Sequence, residues 1–494
     1  MAKETKVKQP IYKKLDDIYS YLEDRLDLKI NYDVGCRSFK VGNRNIQLYY
    51  VNGLTDTDFV IQLMRRISNE DDRTLSYQGV YDELVEQLLT HVQVEPIEDM
   101  DEAVDNLLSG LLVIFGEAWE KALVIDVRFY PGRTPEEPDT ERVVRGARDG
   151  YTENIVLNTA LTRRRIRDER LRMEMTQVGE RSKTDICICY IKDIANAYLV
   201  AEIKSLISKI DIDGIPMGEK AIEEFVIKQG YNPFPKVRFT ERPDVAAAQL
   251  FEGHVLIMVD TSPSVIIMPT TFFHHLQHAE EFRQAPALGV YVRWIRFFGI
   301  FVSIFLLPLW MLFVTNPDLL PDQLSFIGVG EKDYVIPIFF QFLIAELGID
   351  LMRMAAIHTP SPLATAMGLV AAILIGEIAI DVGLFVSEVI LYLSVAAIGM
   401  FATPSYELSL ANKMVRIFLL CMVYIFKLPG FVLGVTAVIL YLTLMKSLKT
   451  PYMWPLIPFN LKALLTIVLR FTSSMNKTRP SIVHTPNKRK QPKP

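Results

Sequence analysis

The sequence has little of what would cross-link the chain or bind a nucleotide. It contains only 4 cysteines in 494 residues and no C-x-x-C pair, which excludes a disulfide-stapled scaffold. It contains no glycine-rich phosphate loop, so it gives no support to nucleotide hydrolysis. No apolar run follows the first ten residues, and we therefore expect no signal peptide and a first domain that stays in the cytosol.

Charge is scarce in one part of the chain only. Residues 291–494 carry 17 Lys and Arg against 10 Asp and Glu, whereas residues 1–290 carry 36 against 48. The first part is thus net acidic (−12) and the second net basic (+7). This division predicts a water-soluble module followed by a membrane module, and the acidity of the first argues against nucleic acid as a partner.

The acidic part has the mixed patterns of a helix-and-sheet protein. A proline-rich acidic stretch at 131–138 predicts two cytosolic subdomains, 1–130 and 131–290. Apolar spacing predicts an α/β or α+β fold, and it leaves the strand order open. A long helix is expected from Thr152 to about Met175, and no internal repeat is visible.

The basic part predicts an α-helical transmembrane bundle over 291–450. Phe297–Thr315 is nineteen residues without a charge, long enough to cross a bilayer core. Further apolar regions predict four or six crossings. Residues 414–445 form either one long span or two short ones broken at 427–430. Residues 451–494 are expected to hold an interfacial helix and a basic cytosolic tail.

Basic residues set the expected orientation of the bundle. Arg293 and Arg296 precede the first span, and Lys446 and Lys449 follow the last, so these ends are predicted to face the cytosol. Lys413 and Arg416 are assigned to the same side. The loop at 316–334 holds four acidic residues and one lysine and is predicted to lie outside.

Carboxylates inside apolar segments are the candidates for an ion pathway, because a charge in a membrane is costly and usually functional. The four candidates are Glu346, Glu377, Asp381 and Glu388. A continuous helix would align the last three, whereas a turn at Gly383 would gather them at a hairpin tip. In an oligomer, either arrangement could form a ring that favours cations. For these three, the alternative is a structural pairing with Arg353 or Lys427, or simple exposure at the interface.

Three other motifs have a functional and a structural interpretation. Asp260-Thr261-Ser262 resembles the carboxylate loop of aspartic proteases, but a second copy is missing and a strand-ending turn is favoured. His274, His278 and Glu281 have a spacing that could bind zinc, although the His-Glu pairing of metalloproteases is absent. We predict no metal, no cofactor and no enzymatic activity.

A run of arginines forms the third motif. Residues 163–172 contain six of them, without interleaved aromatic residues. We interpret the run as a salt-bridged helix face or a subunit contact, with Arg163, Arg164 and Arg165 as the contact candidates.

The segment at 136–168 resembles the A-subunit family of bacterial spore germinant receptors. The resemblance lies in an Arg-Gly pair, an aromatic-Thr-Glu-Asn stretch, an Asn and an arginine run, here Arg145-Gly146, Tyr151–Asn154, Asn158 and Arg163–Ile166. Further matches, in a consistent order over about 30–470, are YYVNGL at 49–54, Pro233-Phe234-Pro235, Glu241–Asp244, Ser262-Pro263, Pro269, and Pro451-Tyr452 followed by Pro455 and Pro458.

The chain departs from typical receptor A subunits after Phe342. Where those have a Glu-Leu-Leu-Arg-Glu-Ala-like segment, residues 350–355 read Asp-Leu-Met-Arg-Met-Ala, without the second acid. The departures are most like the stage V sporulation protein AF branch of the family, which puts direct nutrient sensing by this chain in question.

The resemblance implies a multi-pass protein of the spore inner membrane that works in germination. It implies a homo-oligomer in contact with membrane lipid and other germination membrane proteins. The favoured function is a channel subunit for monovalent cations. A non-conducting scaffold and a secondary transporter are the alternatives, and the latter would need internal repeats.

Overall fold

The computed structural model describes residues 9–41, 44–68, 81, 94–128, 138, 141–320, 323, 328, 334–358, 378–471 and 477–490. The chain divides into two units. The first comprises residues 1–230, 237–269 and 473–494, and the second comprises 231–236 and 270–472. The basic tail, which the sequence places with the interfacial helix, therefore belongs to the first unit.

The first subdomain of the N-terminal unit is a five-stranded sheet with helices. Its strands lie in the order β1-β2-β4-β5-β3. Leu15, Ile18, Leu22 and Leu26 are buried on one face of the first helix and pack into the core of the sheet. The elements are α1 (Leu15–Leu26), β1 (Val34–Val41), β2 (Arg44–Val51), α2 (Thr57–Ser68), β3 (Val94–Ile97), α3 (Met100–Leu108), β4 (Leu112–Gly116) and β5 (Ala122–Ile125).

The second subdomain repeats this topology. Its sheet has the order β6-β7-β9-β10-β8, which is the order of the first sheet with each strand number raised by five. The elements are α4 (Ile155–Arg165), β6 (Leu171–Val178), β7 (Thr184–Ile191), α5 (Ala197–Ile207), α6 (Gly218–Ile227), β8 (Arg238–Thr240), α7 (Pro243–Glu252), β9 (Val255–Val259) and β10 (Val265–Met268). The repeat is one of topology, and the sequence did not reveal it.

Every strand pair described in the two sheets is antiparallel. Of the two predicted fold classes for the soluble part, the pairing therefore agrees with α+β. The sequence analysis was wrong about one long element. The helix predicted from Thr152 to Met175 ends at Arg165, and residues 171–178 form β6 instead.

The second unit is helical, as expected. Its elements are α8 (Ala279–Arg283), α9 (Pro286–Thr315), α10 (Ile338–His358), α11 (Ser387–Phe401), α12 (Tyr406–Leu444), the strands β11 (Lys446–Ser447) and β12 (Thr450–Pro451), and α13 (Leu461–Val468). Among the described residues, α9 and α12 are long and apolar enough to cross a membrane, and α11 is a shorter apolar helix. The predicted fold class, a sheet-containing N-terminal region followed by a helical region, is confirmed.

Helix α12 is a helical hairpin and not one straight span. Lys427 leaves the helical conformation, with φ 52° and ψ −132°. Beyond it the chain folds back, because Gly430 lies against the carbonyl of Met422 and Gly434 against the side chain of Leu419. The interpretation of 414–445 as two segments broken at 427–430 is thus confirmed.

The helical unit has two ends with different surroundings. At one end, which we call the acidic end, Leu312, Ile338, Phe385 and Val423 share a cluster. At the other, the basic end, Ile300, Leu408, Met445 and Tyr452 share a cluster. Lys446 follows Met445 directly, and Lys449 lies three residues further on.

Candidate functional site

Four charged side chains meet inside the helical unit, and we call them the buried charge cluster: Glu346, Asp350, Lys413 and Arg416. Lys413 Nζ lies 2.9 Å from a Glu346 carboxylate oxygen and 2.5 Å from Asp350 Oδ1. Arg416 Nη2 lies 2.5 Å from the other Glu346 oxygen. The side chains of Glu346, Lys413 and Arg416 are at most 4% exposed. Two positive charges thus face two negative ones, and of the four side chains only Asp350, which is 37% exposed, reaches solvent.

The cluster joins three helices. The acids are four residues apart on α10 and the bases three apart on α12, so each pair lies on one helix face. Lys413 also donates to the backbone carbonyl of Glu346 at 3.1 Å, and Arg416 to that of Ser303 on α9 at 2.7 Å. These bonds offset part of the cost of removing the charges from water.

The sequence suggested no partner for Glu346, since pairing with Arg353 or Lys427 is the alternative for Glu377, Asp381 and Glu388. The structure pairs Glu346 with Lys413 and Arg416. The sequence assigns Lys413 and Arg416 to the cytosolic side because they are basic, and the structure buries both within α12. Their i, i+3 spacing opposite an i, i+4 pair of acids was the signal that could have identified the cluster.

Two further ion-pathway candidates lie at the acidic end, in a segment that we call the acid turn (378–388). The chain turns at Gly383, whose φ is +74°, after a single helical turn at Ala379–Asp381. Asp381 is exposed, and Glu388 is half-buried in the first turn of α11. The turn interpretation is therefore confirmed for these two, and the continuous helix is wrong. Glu377 lies outside the described residues.

Buried Gln341 holds the acid turn against α10. Its side-chain oxygen accepts a hydrogen bond from the backbone N–H of Val386 at 2.9 Å. Its amide nitrogen donates to the carbonyl of Ile336 at 2.7 Å. Both polar ends of the side chain are thus satisfied, which fixes the start of α11 and with it the position of Glu388.

Of the three arginines predicted as subunit contacts, Arg163 instead contacts an acid within its own chain. Arg163 is buried and forms two hydrogen bonds with Asp33, at 2.7 and 3.2 Å. It also donates to the carbonyls of Asp168 and Leu171, at 3.1 and 3.3 Å, across the turn that ends α4. Arg165 contacts Asp149 at 2.6 Å, while Arg164 is exposed.

Ion pairs of the same kind join the two subdomains. Asp33 precedes β1, whereas Arg163 belongs to α4. Asp27, which follows α1, contacts Arg172 on β6 at 2.5 Å and Lys192 at 2.8 Å. Burial alone would raise the pKa of Asp27, but hydrogen bonds from Lys192 and Arg172 outweigh it and lower that pKa below its usual range.

The motif that carries the family resemblance holds α4 in place. Asn154 caps the helix by accepting from the N–H groups of Val156 and Leu157, at 2.9 and 3.3 Å. The side chain of Asn158 bonds both backbone groups of Thr152, at 2.8 and 2.6 Å. These residues build the fold of the second subdomain.

The remaining motifs are structural in the described residues. Asp260 Oδ1 accepts from the backbone N–H of Ile155 at 3.1 Å, beside a groove of about 580 Å³ that Thr152–Leu157, Asp185 and Asp260 line. Glu281 is buried and pairs with Arg293, at 2.7 Å, and with Arg296.

Of the two histidines of the possible zinc motif, His274 lies outside the helix that Glu281 belongs to, and His278 directly precedes that helix. His274 lies in a short 3-10 helix, and His278 caps α8 by accepting from the backbone N–H of Glu280 at 3.2 Å. The shared helix face that would bring three zinc ligands together is absent. No group of three possible ligands suited to a metal occurs within the part of the chain that the structure describes.

Comparison with known proteins agrees with the resemblance seen in the sequence. The chain is 56% identical to stage V sporulation protein AF of Bacillus subtilis (strain 168), over 99% of both chains. It is 28% identical to spore germination protein A1 of the same organism, over 95% of this chain and 97% of that one.

Two further comparisons concern a solved structure and the family as a whole. The crystal structure of the N-terminal domain of the A subunit of the Bacillus megaterium spore germinant receptor GerK3 matches 54% of this chain and 99% of its own, with 25% identity and a TM-score of 0.41. The family model described as Bacillus/Clostridium GerA spore germination protein matches residues 20–482. The chain therefore belongs to the GerA family of spore germination proteins.

Proposed function

We propose that this chain is a multi-pass subunit of the germination machinery in the spore inner membrane, where a homo-oligomer conducts monovalent cations. Family membership and the apolar helices α9 and α12 support the membrane location. Other germination membrane proteins are the proposed partners, because the chain belongs to a family of spore germination proteins. The N-terminal unit lies in the cytosol.

The observation that carries the channel proposal is the position of the acid turn. Asp381 is exposed and Glu388 half-buried at one end of the helical unit, whereas Glu346 is already paired with Lys413 and Arg416 inside it. Symmetry in an oligomer repeats each carboxylate around the axis. A ring of such charges at a pore mouth concentrates cations, because low-dielectric walls strengthen its field.

The distribution of basic residues orients this mouth. Lys446 and Lys449 are exposed at the basic end, where the first span also begins. The positive-inside rule then assigns the basic end to the cytosol and the acid turn to the outer surface. Arg164, which is exposed on the N-terminal unit, remains a proposed subunit contact.

Neutralising the acid turn tests the proposal. Asp381→Asn with Glu388→Gln keeps side-chain size and removes two charges per subunit, so we expect several-fold lower cation conductance in planar bilayers at low salt. High salt should reduce the difference, because it screens a ring at a pore mouth. Glu407→Gln is the matched control, since Glu407 lies in the first turn of α12 at the basic end.

A result against the proposal would be parental conductance from the double variant at low salt, with normal protein level and membrane insertion. The acid turn would then contribute only to folding or exposure at the interface.

The buried charge cluster favours a second candidate, a non-conducting scaffold. The two acids and two bases of the cluster give no net charge. Helices α9, α10 and α12 meet there, and both carboxylate oxygens of Glu346 contact a basic side chain. A scaffold would form the same oligomer and bind germination proteins but give no bilayer current. A secondary transporter stays a third alternative; the break at Lys427 agrees with it, but it would produce substrate-coupled flux in place of channel currents.

A further inference from the structure

We propose that Arg353 binds the phosphate group of an anionic phospholipid at the basic end of the helical unit. The guanidinium carbon of Arg353 lies 5.4 Å from the ring centre of Phe401 and 5.4 Å from that of Tyr406. One amino group lies 3.8 Å from the sulfur of Met400. Two aromatic rings and a thioether thus hold the cation in place.

The guanidinium has no counter-ion in the described part of the chain. Other basic residues inside the helical unit, Lys413, Arg416, Arg293 and Arg296, each contact a carboxylate. Arg353 contacts none among the described residues, and its Nη1 is buried there without a hydrogen-bond partner. Leaving such a group unpaired away from water is costly, so an anion is the expected ligand.

A second polar group without a partner lies in the same region. The residue Thr403 is only 7% exposed, and its hydroxyl is buried without a hydrogen-bond partner among the described residues. Thr403 belongs to the short connection between Phe401, which ends α11, and Tyr406, which begins α12. The connection that presents the two rings therefore also holds an unused hydrogen-bonding group.

Several features favour a lipid phosphate over other anions. Phe401 and Tyr406 are 67% and 54% exposed, so the site lies at the exterior of the helical unit and not in its core. Aromatic rings commonly lie at headgroup depth, and the cytosolic leaflet carries the anionic lipids. A guanidinium donates in a fork that matches phosphate oxygens. The inference rests on the proposed membrane location, and it does not require that the protein conduct ions.

The test uses the full-length protein in mild detergent, with lipid retention measured by native mass spectrometry. Phosphatidylglycerol, phosphatidylcholine and inorganic phosphate are the three probes. We expect one phosphatidylglycerol per chain to be held most tightly, and millimolar inorganic phosphate not to displace it. Arg353→Gln should weaken this retention about tenfold, the loss of one charge-assisted contact.

Two further variants make the test specific. Arg353→Lys keeps the charge but loses the planar fork, so intermediate retention is expected. Lys446→Gln removes an exposed charge at the same end and should leave the tightly held lipid in place. An unchanged thermal transition in Arg353→Gln would show that the loss is local; if that variant misfolds, Arg353→Lys decides the matter.

Equal phosphatidylglycerol retention by Arg353→Gln and Lys446→Gln would overturn the proposal. Displacement by inorganic phosphate would assign the site to a free anion and reject the lipid. If Arg353→Gln changes the oligomer mass and leaves lipid retention unchanged, Arg353 would pair with a carboxylate of a second copy. That result would also overturn the lipid proposal. Failure of the channel proposal would leave the lipid result unaffected.

Discussion

At the scale of single residues, several buried charged side chains each contact a side chain of opposite charge. Arg163 faces Asp33 in the N-terminal unit, and Lys413 and Arg416 face Glu346 and Asp350 in the helical unit. Each residue of a pair offsets the free-energy cost of removing the other's charge from water. The interior therefore tolerates the two together, whereas it would not tolerate either one without its partner. Such residues are therefore sensitive to loss of one partner.

We predict that Asp33→Asn lowers the free energy of unfolding of the N-terminal unit by about 3–5 kcal/mol, because it leaves Arg163 charged and buried. Chemical denaturation followed by circular dichroism measures this. Glu120→Gln is the control: it breaks the pair with Lys13, whose side chains are 69% and 77% exposed, and should change stability little. Equal effects of the two variants would show that the buried pair is not a main support.

The sequence indicated candidate residues more readily than it indicated their partners. The acidic candidates Glu346, Asp381 and Glu388 were visible because charge is rare in apolar segments. Their surroundings were not, since Glu346 meets Arg416 through the packing of helices that are far apart in the sequence. Arg163 was interpreted as part of a salt-bridged helix face or a subunit contact, and the sequence did not indicate its partner Asp33, which is 130 residues away.

Among the elements, the sequence offered the observed turn and the observed break as one of two alternatives each, whereas it gave a wrong length for one helix. The break at Lys427 and the turn at Gly383 follow from local backbone chemistry, which a sequence reveals. The end of α4 does not, because helix-forming residues continue past Arg165. There the chain turns, and the backbone carbonyl of Asp168 accepts a hydrogen bond from the backbone N–H of Leu171 at 3.1 Å. The Arg163 side chain donates to the backbone carbonyls of Asp168 and Leu171.

The α12 hairpin gives a prediction of its own. A Cβ at Gly430 would lie 2.0 Å from the carbonyl oxygen of Met422, so Gly430→Ala should force the two arms apart. We expect it to cost about 1–3 kcal/mol. At Gly434 the nearest atom, 2.9 Å away, is the end of the Leu419 side chain, which can move.

Gly434→Ala is therefore the matched control, and it should be milder. Thermal unfolding of the detergent-purified protein ranks the two variants. A milder effect at Gly430 than at Gly434 would contradict the close packing of the arms.

The whole chain combines an acidic sheet-containing unit with a helical unit of nearly balanced charge, and the basic last residues belong to the first unit. Lys490 contacts Glu252 at 2.6 Å, and Asn487 donates to Asp193 at 3.2 Å. Ile482 and Val483 are buried in the same unit. The charge asymmetry predicted two modules, but nothing in the tail's composition indicated that it packs on the N-terminal unit.

We predict that a fragment of residues 1–269 is soluble without detergent and unfolds cooperatively. A peptide of residues 473–494 should bind it and raise its melting temperature, because the peptide restores the buried contacts of Ile482 and Val483. Glu252→Lys should weaken this binding, and calorimetry with a scrambled peptide provides the control. Equal binding of the scrambled peptide would mean that the contact is only electrostatic.

The most direct test of the central proposal is the reversal potential of the purified full-length protein in a planar bilayer under a potassium chloride gradient. The proposed channel predicts currents that reverse near the potassium equilibrium potential, because the acid turn attracts cations and repels chloride. A reversal near the chloride potential would contradict it. So would the absence of current from a correctly assembled oligomer.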